Sequence, residues 1–322
     1  MLPDLKGWLP VDAVVVEGRP GLLWMEMSGV SLAEPFFQQT VERAKNRDQL
    51  FTEFDALLQL ERSFDSVEPT GFIFHSSRCG STLVANACRA ISGSIVLSEA
   101  NAIDKLIARF ITDSDGIKES LYSVFLRATV RALGQRRNGD EQHLIVKFAC
   151  CSFAQFERIS RIWPRVPWIF LYRDPIETIV SNLADVPPWL KDNDRRVLAS
   201  ITGVSTNAVA EMSLEELCAR TIGSLYTKAH SLANDNCLLL NYNQLSVPVI
   251  SSVLSYFKVS PAAEELDTIA RAGNMYSKDG TRTFVADTYA KQKLASDRVR
   301  EAAAAWAIEP YRQLEQKRLE NK

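Results

Sequence analysis

The stretch from Phe72 to Leu83 constrains this chain more than any other: an apolar run breaks into a polar turn and reopens at once as a helix. Phe72-Ile-Phe leads into His75-Ser-Ser-Arg-Cys-Gly80, and from Gly80 to about Ile91 the apolar residues recur at helical spacing. A strand, a tight turn and a helix N-terminus in that order form a cradle of backbone N–H groups suited to an anion.

Beyond Gly71 the pattern repeats as alternating strand and helix. Strands are expected near 72–75, 94–98, 143–148, 167–172 and 237–241. Helices are expected near 80–91, 100–112, 116–136, 152–162, 175–183, 212–233, 247–257 and 262–272. The strands are short and apolar on both faces, as in Ile169-Phe-Leu and Leu238-Leu-Leu, which predicts a parallel α/β sheet with helices on both faces. Apolar residues make up 46% of the 322 residues, enough for a large core. A final amphipathic helix is expected over about 296–320, docked on that core. Residues 1–70 follow a different pattern and are set apart from 71–322 as an extension. It reads as a hairpin of strands 11–17 and 21–27 around Gly18-Arg-Pro-Gly21, then helices near 33–47 and 48–62. This extension could pack on the core, mediate a homodimer or cap an acceptor pocket, and the sequence does not choose.

The loop departs from the pattern that binds nucleoside triphosphates. Aligned on Gly80, that pattern needs Gly at position 75 and Lys at 81, where this chain has His75 and Ser81 and keeps only Thr82. The lysine for the outer phosphates is missing, yet Arg78 places a cation inside the loop. The cradle is built for an anion other than a Mg-bound triphosphate.

A second constellation lies downstream. Trp168-Ile-Phe-Leu-Tyr172 is a buried strand, Asp174 suits a helix N-cap, and Pro175 suits the first helical turn. Arg173 therefore sits at a strand's carboxyl end beside a helix N-terminus, where open α/β sheets bind ligands. Ser181 follows eight residues later, about two turns into that helix.

Together these segments resemble the sulfotransferases that use 3′-phosphoadenosine-5′-phosphosulfate (PAPS) and release 3′-phosphoadenosine-5′-phosphate (PAP). The resemblance spans roughly 71–285 and implies a P-loop-type fold. It places Ser77, Arg78, Cys79, Gly80, Ser81 and Thr82 around the 5′-phosphosulfate, and Arg173 and Ser181 on the 3′-phosphate. It implies that Tyr242, at the end of Leu238-Leu-Leu-Asn-Tyr, walls the nucleobase, although ordinary strand-end packing explains that residue almost as well. The segment Ser277-Lys278-Asp-Gly280-Thr-Arg282 resembles a late basic loop that closes on the 3′-phosphate, or is a solvated connector.

For catalysis the resemblance points to Glu99, Arg78 and Lys147. Glu99 ends a short strand and is either a general base, if burial raises its pKa, or a cap for the helix that follows. Lys147 ends another strand, but no histidine follows it closely, which counts against a phenol- or steroid-type enzyme. His75 is expected to be structural or to orient a phosphate contact, with a role as base the lesser alternative. The implied reaction is sulfuryl transfer to a hydroxyl or amine of a small-molecule or peptide acceptor, with no metal. A small-molecule kinase using ATP-Mg and a non-catalytic adenosine-nucleotide sensor are the rival readings.

Charge and cysteines narrow the setting. A formal net charge of −2 argues against nucleic-acid binding by phosphate neutralisation. The six cysteines show no zinc spacing, and reduced thiols in a cytoplasmic protein account for them. No apolar run approaches the length of a membrane span.

Overall fold

The computed structural model describes residues 4–60, 63–112, 119–191, 195–273 and 288–320. Its centre is a five-stranded sheet of β4 (Pro69–His75), β5 (Ser94–Ser98), β6 (His143–Lys147), β7 (Trp168–Tyr172) and β8 (Cys237–Asn241). The strands lie in the order β5-β6-β4-β7-β8 and every neighbouring pair is parallel. The strand that feeds the anion loop is thus the middle one.

Alternation along each strand separates two cores. Phe72, Phe74, Val146, Trp168 and Phe170 point to one face, and Ile73, Ile145, Ile169 and Leu171 to the other. The first face is aromatic: Phe74 stacks on Phe148 at 4.8 Å between ring centroids, and Phe72 meets Phe148 edge-on at 5.3 Å. The second face is aliphatic and is covered by the helices Ser81–Arg89 and Val247–Tyr256.

The N-terminal extension builds a three-stranded antiparallel sheet from β1 (Trp8–Val16), β2 (Arg19–Glu26) and β3 (Gln49–Glu53), in that order. The hairpin turn is shorter than the sequence indicated. It is the two residues Glu17-Gly18, both at positive φ (50° and 77°), the geometry that suits the twist of a tight hairpin. The helix expected at 48–62 is replaced in its first part by β3, followed by a helix at Phe54–Leu60. Leu50-Phe51-Thr52 is better shaped for a strand, and pairing with β2 overrides its helical spacing; Thr52 Oγ1 accepts a buried hydrogen bond from Trp24 Nε1 at 2.8 Å. The preceding helix spans only Phe37–Arg43; Pro35 disfavours a helical conformation at residue 34, which accounts for its late start. Buried residues of the extension, Leu9, Trp24, Leu57 and Phe64 among them, join the aromatic-face core.

The tail is two helices, Asp297–Trp306 and Ile308–Glu320, where the sequence indicated one. Pro310 has no N–H to give to the carbonyl of Trp306 and its ring would clash there, so the ladder breaks at Ala307. Both helices pack on the long helix Leu214–Leu232. Backbone meets backbone at Gly223, where a Cβ would lie 2.1 Å from the carbonyl oxygen of Trp306.

Candidate active site at the carboxyl edge of the sheet

Strand register brings the candidate residues to one edge. Lys147 is level with Ile73 of β4 and Ser98 of β5, His75 with Leu171, and Tyr172 with Asn241. The next residues along β5, β7 and β8 are Glu99, Arg173 and Tyr242, so all three emerge on the edge that Lys147 and His75 close.

The loop after β4 has an unusual backbone. Ser77, Arg78 and Gly80 have φ of 75°, 50° and 83°. Gly80 is obligatory twice over: its φ disfavours a side chain, and a Cβ would meet Leu245 Cδ1 at 2.4 Å and the Tyr242 ring at 3.1 Å. The helix Ser81–Arg89 starts its hydrogen-bond ladder with Leu83 and Val84 donating to the Gly80 carbonyl. Donors earlier in the loop therefore precede the ladder, as an anion cradle requires. Ser81 and Thr82 are buried in its first turn. Cys79 is wholly buried and directs its thiol at the Leu171 carbonyl (3.2 Å); burial pushes that thiol up to about 11, so it packs and does not attack.

Two contacts tie this loop to the helix Pro175–Ala184. Ser77 Oγ donates to Asn182 Oδ1 at 2.9 Å. The Tyr242 ring, against Gly80 on one side, lies under the Arg173 guanidinium, 4.0 Å from Cζ to ring centroid. Arg173, just ahead of that helix, is buried and ion-paired at 2.7 Å with Glu177 in the helix's first turn, while Tyr226 Oη donates to the Arg173 carbonyl at 2.7 Å. Asp174 caps the helix by accepting from the Glu177 N–H at 3.1 Å and also accepts from Gln292 Nε2 at 3.0 Å. Ser181 Oγ is buried with no hydrogen-bond partner among the described residues. A buried hydroxyl left in that state is costly, and an arriving acceptor atom would relieve it.

The β5–β6 side of the edge carries charge. Glu99, itself at φ 52°, forms an ion pair with Lys147 through Oε1, and its backbone N–H donates to the Lys147 carbonyl at 2.8 Å. The Lys147 side chain is 1% exposed and that of Glu99 31%. His75 Nε2 lies 3.4 Å from the same Glu99 oxygen, and His75 Nδ1 accepts from the Ser77 N–H at 3.1 Å. The imidazole thus links the anion loop to the carboxylate. Nδ1 can accept only in the Nε2–H tautomer, and burial lowers the ring's pKa and keeps it neutral.

The pKa of Glu99 moves opposite to the sequence expectation. Burial alone would raise it, but the Lys147 ammonium and the His75 contact outweigh burial and hold the carboxyl well below the usual carboxylate range. A carboxyl that burial does raise is Asp104, which the sequence reading missed. Burial, helped by the Glu99 charge, pushes Asp104 up to about 7, although it accepts from Ser152 Oγ at 2.7 Å and the Ala149 N–H at 3.0 Å. In the sequence Asp104 is one polar position on an amphipathic helix, with nothing to single it out.

Of the expected site residues, Ser77, Cys79, Gly80, Ser81, Thr82, Glu99, Lys147, Arg173, Ser181 and Tyr242 gather along this edge. Arg78 turns aside. Instead of lying in the cradle, its guanidinium donates to the carboxylate of Asp185 at 2.7 Å and to that residue's carbonyl. Lys278 and Arg282 lie outside the described residues. Among the described residues no cluster of His, Cys, Asp and Glu could hold a metal ion, and no helix is long and apolar enough to cross a membrane. All six cysteines are free; the Cys150 and Cys151 thiols lie 3.9 Å apart.

No protein-family model and no curated protein matches this sequence. Solved structures that resemble it are sulfotransferases. Mouse sulfotransferase SULT7A1, complexed with PAP, aligns over 83% of this chain and 91% of its own, at 14% identity and a TM-score of 0.39. Sulfotransferase STF1 from Mycobacterium tuberculosis H37Rv aligns over 78% and 81%, at 12% identity and a TM-score of 0.41. The sulfotransferase domain from the curacin biosynthetic pathway aligns over 74% and 98%, at 15% identity and a TM-score of 0.39.

Proposed function

We propose that this protein is a PAPS-dependent sulfotransferase, acting on a hydroxyl or amine of its acceptor with Glu99 as the proton acceptor and no metal. One observation carries the reading. Tyr242 touches both the Gly80 loop and Arg173, so two anion-binding constellations flank a single aromatic ring, and the helix that follows Arg173 carries Ser181, whose hydroxyl has no hydrogen-bond partner among the described residues. That arrangement fits an adenosine nucleotide with a phosphate at each end of its ribose. The 5′ group would lie in the 77–82 cradle, the 3′-phosphate would take Arg173 and Ser181, and the Tyr242 ring would meet the nucleoside between them.

Bound there, PAPS would supply an activated sulfuryl group whose transfer needs no metal clamp. The chain's own groups do the rest. Lys147 sits at the end of β6, adjacent to the loop strand β4, where its ammonium can stabilise negative charge that develops on a leaving phosphate. His75 keeps the Ser77 N–H fixed and places its second nitrogen against Glu99. An anion drawn to Lys147 competes with Glu99 for the ammonium. Anion binding therefore raises the basicity of the carboxylate at the stage when the acceptor's proton needs a base.

Calorimetric titration of the purified protein with PAP, 5′-AMP and ATP-Mg tests the donor site. Tight binding of PAP with weak binding of the other two is expected. Equal or tighter binding of ATP-Mg would sink the reading in favour of a kinase.

A further inference from the structure

The helix Leu214–Leu232 turns Tyr226 inward to Arg173 and presents Arg220, Ser224, Thr227, Lys228 and Ser231, at helical spacing, on another face. Long side chains at 220 and 228 stand at either end of short ones, so that face is hollow. The helix Arg195–Thr202 contributes Ser200 to one side of the hollow and the tail contributes Trp306, which leaves a cavity of 530 Å³, a size that suits a small metabolite. Trp306 comes this close because Gly223 has no side chain to meet its carbonyl. The cavity shares no residue with the carboxyl edge of the sheet. Lys228 and Ser231 lie in the turns that lead to the amino end of β8, opposite the edge that carries Glu99 and Arg173.

The chemistry of the walls is one-sided. Arg220 and Lys228 line the cavity, and no Asp or Glu does so among the described residues. Each cation has an acidic partner outside the wall, and each keeps donors in reserve. Arg220 gives Nε to Glu216 at 2.9 Å and lies over the Trp306 ring, 3.4 Å from Cζ to ring centroid. Its two Nη groups make no hydrogen bond among the described residues, although the side chain is only 19% exposed. Lys228 Nζ donates to the Ala154 carbonyl at 2.7 Å and pairs with Glu157 at 2.7 Å, which leaves a third N–H. The hydroxyls of Ser200, Ser224, Thr227 and Ser231 can each donate and accept, as the hydroxyls of a polyol do. Trp306 is the one aromatic ring in the wall among the described residues, and Arg220 already occupies a face of it, which disfavours a stacked nucleobase. From this set we infer a second binding site, for a sugar phosphate. The phosphate takes the Nη groups of Arg220 in charge-assisted hydrogen bonds, and the sugar hydroxyls take the row of serines and threonine. The inference goes beyond the sulfotransferase reading and does not depend on it.

The test is a titration with glucose 6-phosphate, glucose and inorganic phosphate as probes, followed by ligand-observed NMR, on wild type, Arg220→Gln and Thr227→Phe. Arg220→Gln removes the charge and keeps the length. Thr227 is exposed, so Phe there fills the hollow without entering the core. Glucose 6-phosphate is expected to bind wild type about tenfold or more tighter than either glucose or phosphate, and to lose on the order of tenfold in each variant. Excess PAP should leave it bound. Equal affinity for inorganic phosphate would reduce the cavity to an anion spot only, and equal affinity for glucose would leave Arg220 without a part; each overturns the inference. So does unchanged binding in both variants, or no binding of glucose 6-phosphate to wild type. Displacement by PAP would put the sugar phosphate in the 77–82 cradle and overturn it as well. Failure of PAP to bind wild type counts against the donor reading instead, and the Arg220 and Thr227 comparison still decides this site.

Discussion

The two halves of the sheet's carboxyl edge solve different problems. On the β4–β7–β8 side, the groups that would meet a ligand are backbone, a short hydroxyl and one arginine held over the Tyr242 ring. On the β5–β6 side, charge meets charge: Lys147 compensates Glu99, His75 touches the same oxygen, and Asp104 feels both charges. The first half gains selectivity from fixed positions and leaves a polar atom unsatisfied. The second gains its charge state from mutual compensation, so no member can be changed without altering the others.

That difference makes the charged cluster the place of largest expected effect. Glu99→Gln removes the carboxylate that pairs with an ammonium only 1% exposed, and should destabilise the protein by about 3 kcal/mol in urea unfolding. Adding Lys147→Met to that variant removes the uncompensated charge and should recover most of the loss. Additive losses in the double variant would mean that the two residues do not compensate each other.

On the other half, the effect should appear in ligand affinity. Arg173→Ala combined with Glu177→Gln, which avoids leaving a buried carboxylate behind, should weaken PAP binding about 100-fold, with 5′-AMP binding nearly unchanged. Equal losses for both nucleotides in calorimetry would place Arg173 outside a 3′-phosphate site. Ser181→Ala is the sharper probe, because Ser181 Oγ has no hydrogen-bond partner among the described residues to lose. Its melting temperature should match or exceed that of wild type, because the unsatisfied hydroxyl is gone, while PAP affinity falls about tenfold. A drop in melting temperature with unchanged affinity would make Ser181 an ordinary core residue.

The same contrast explains which parts could be read in advance. The five parallel strands were legible because strands buried on both faces appear as unbroken apolar runs, and Trp168–Tyr172 is buried throughout. The loop and the helix after Arg173 were legible because their geometry is local: Gly80, Asp174 and Pro175 each act within a few residues of themselves. The charged cluster was only half legible. Glu99 and Lys147 could be named at strand ends, but the sign of the Glu99 shift depends on the two lying side by side across β5 and β6. Asp104 and Asn182 carry no periodicity that marks them, since their partners are remote in the chain. Arg78 sits inside the motif, yet its direction is decided by Asp185, more than a hundred residues away. The strand β3 was missed because five residues are too few for alternation to beat a helical spacing until β2 is there to pair with them.

The smallest effect tests whether the charged cluster behaves as one unit. Asp104 is pushed up to about 7, against roughly 3.9 in an unfolded chain. Between those values the folded protein binds more protons than the unfolded one, so this group's stabilising contribution is full below the unfolded pKa and is lost as pH rises through 7. Glu99 has the opposite sign: its depressed pKa stabilises above the unfolded value, and that contribution is lost only as pH falls towards the folded one. Asp104→Asn keeps an oxygen for the Ala149 N–H and Ser152 Oγ but cannot ionise. Relative to wild type it should gain about 1 kcal/mol between pH 5 and pH 8 in urea unfolding, a figure discounted for the partial exposure of Asp104. Parallel curves for the two proteins would show that Asp104 does not titrate in this window. In the Glu99→Gln background the gain should shrink, because the Glu99 charge is one of the causes of the raised Asp104 value. A gain of the same size in both backgrounds would separate Asp104 from the cluster and leave Lys147, Glu99 and His75 as its whole membership.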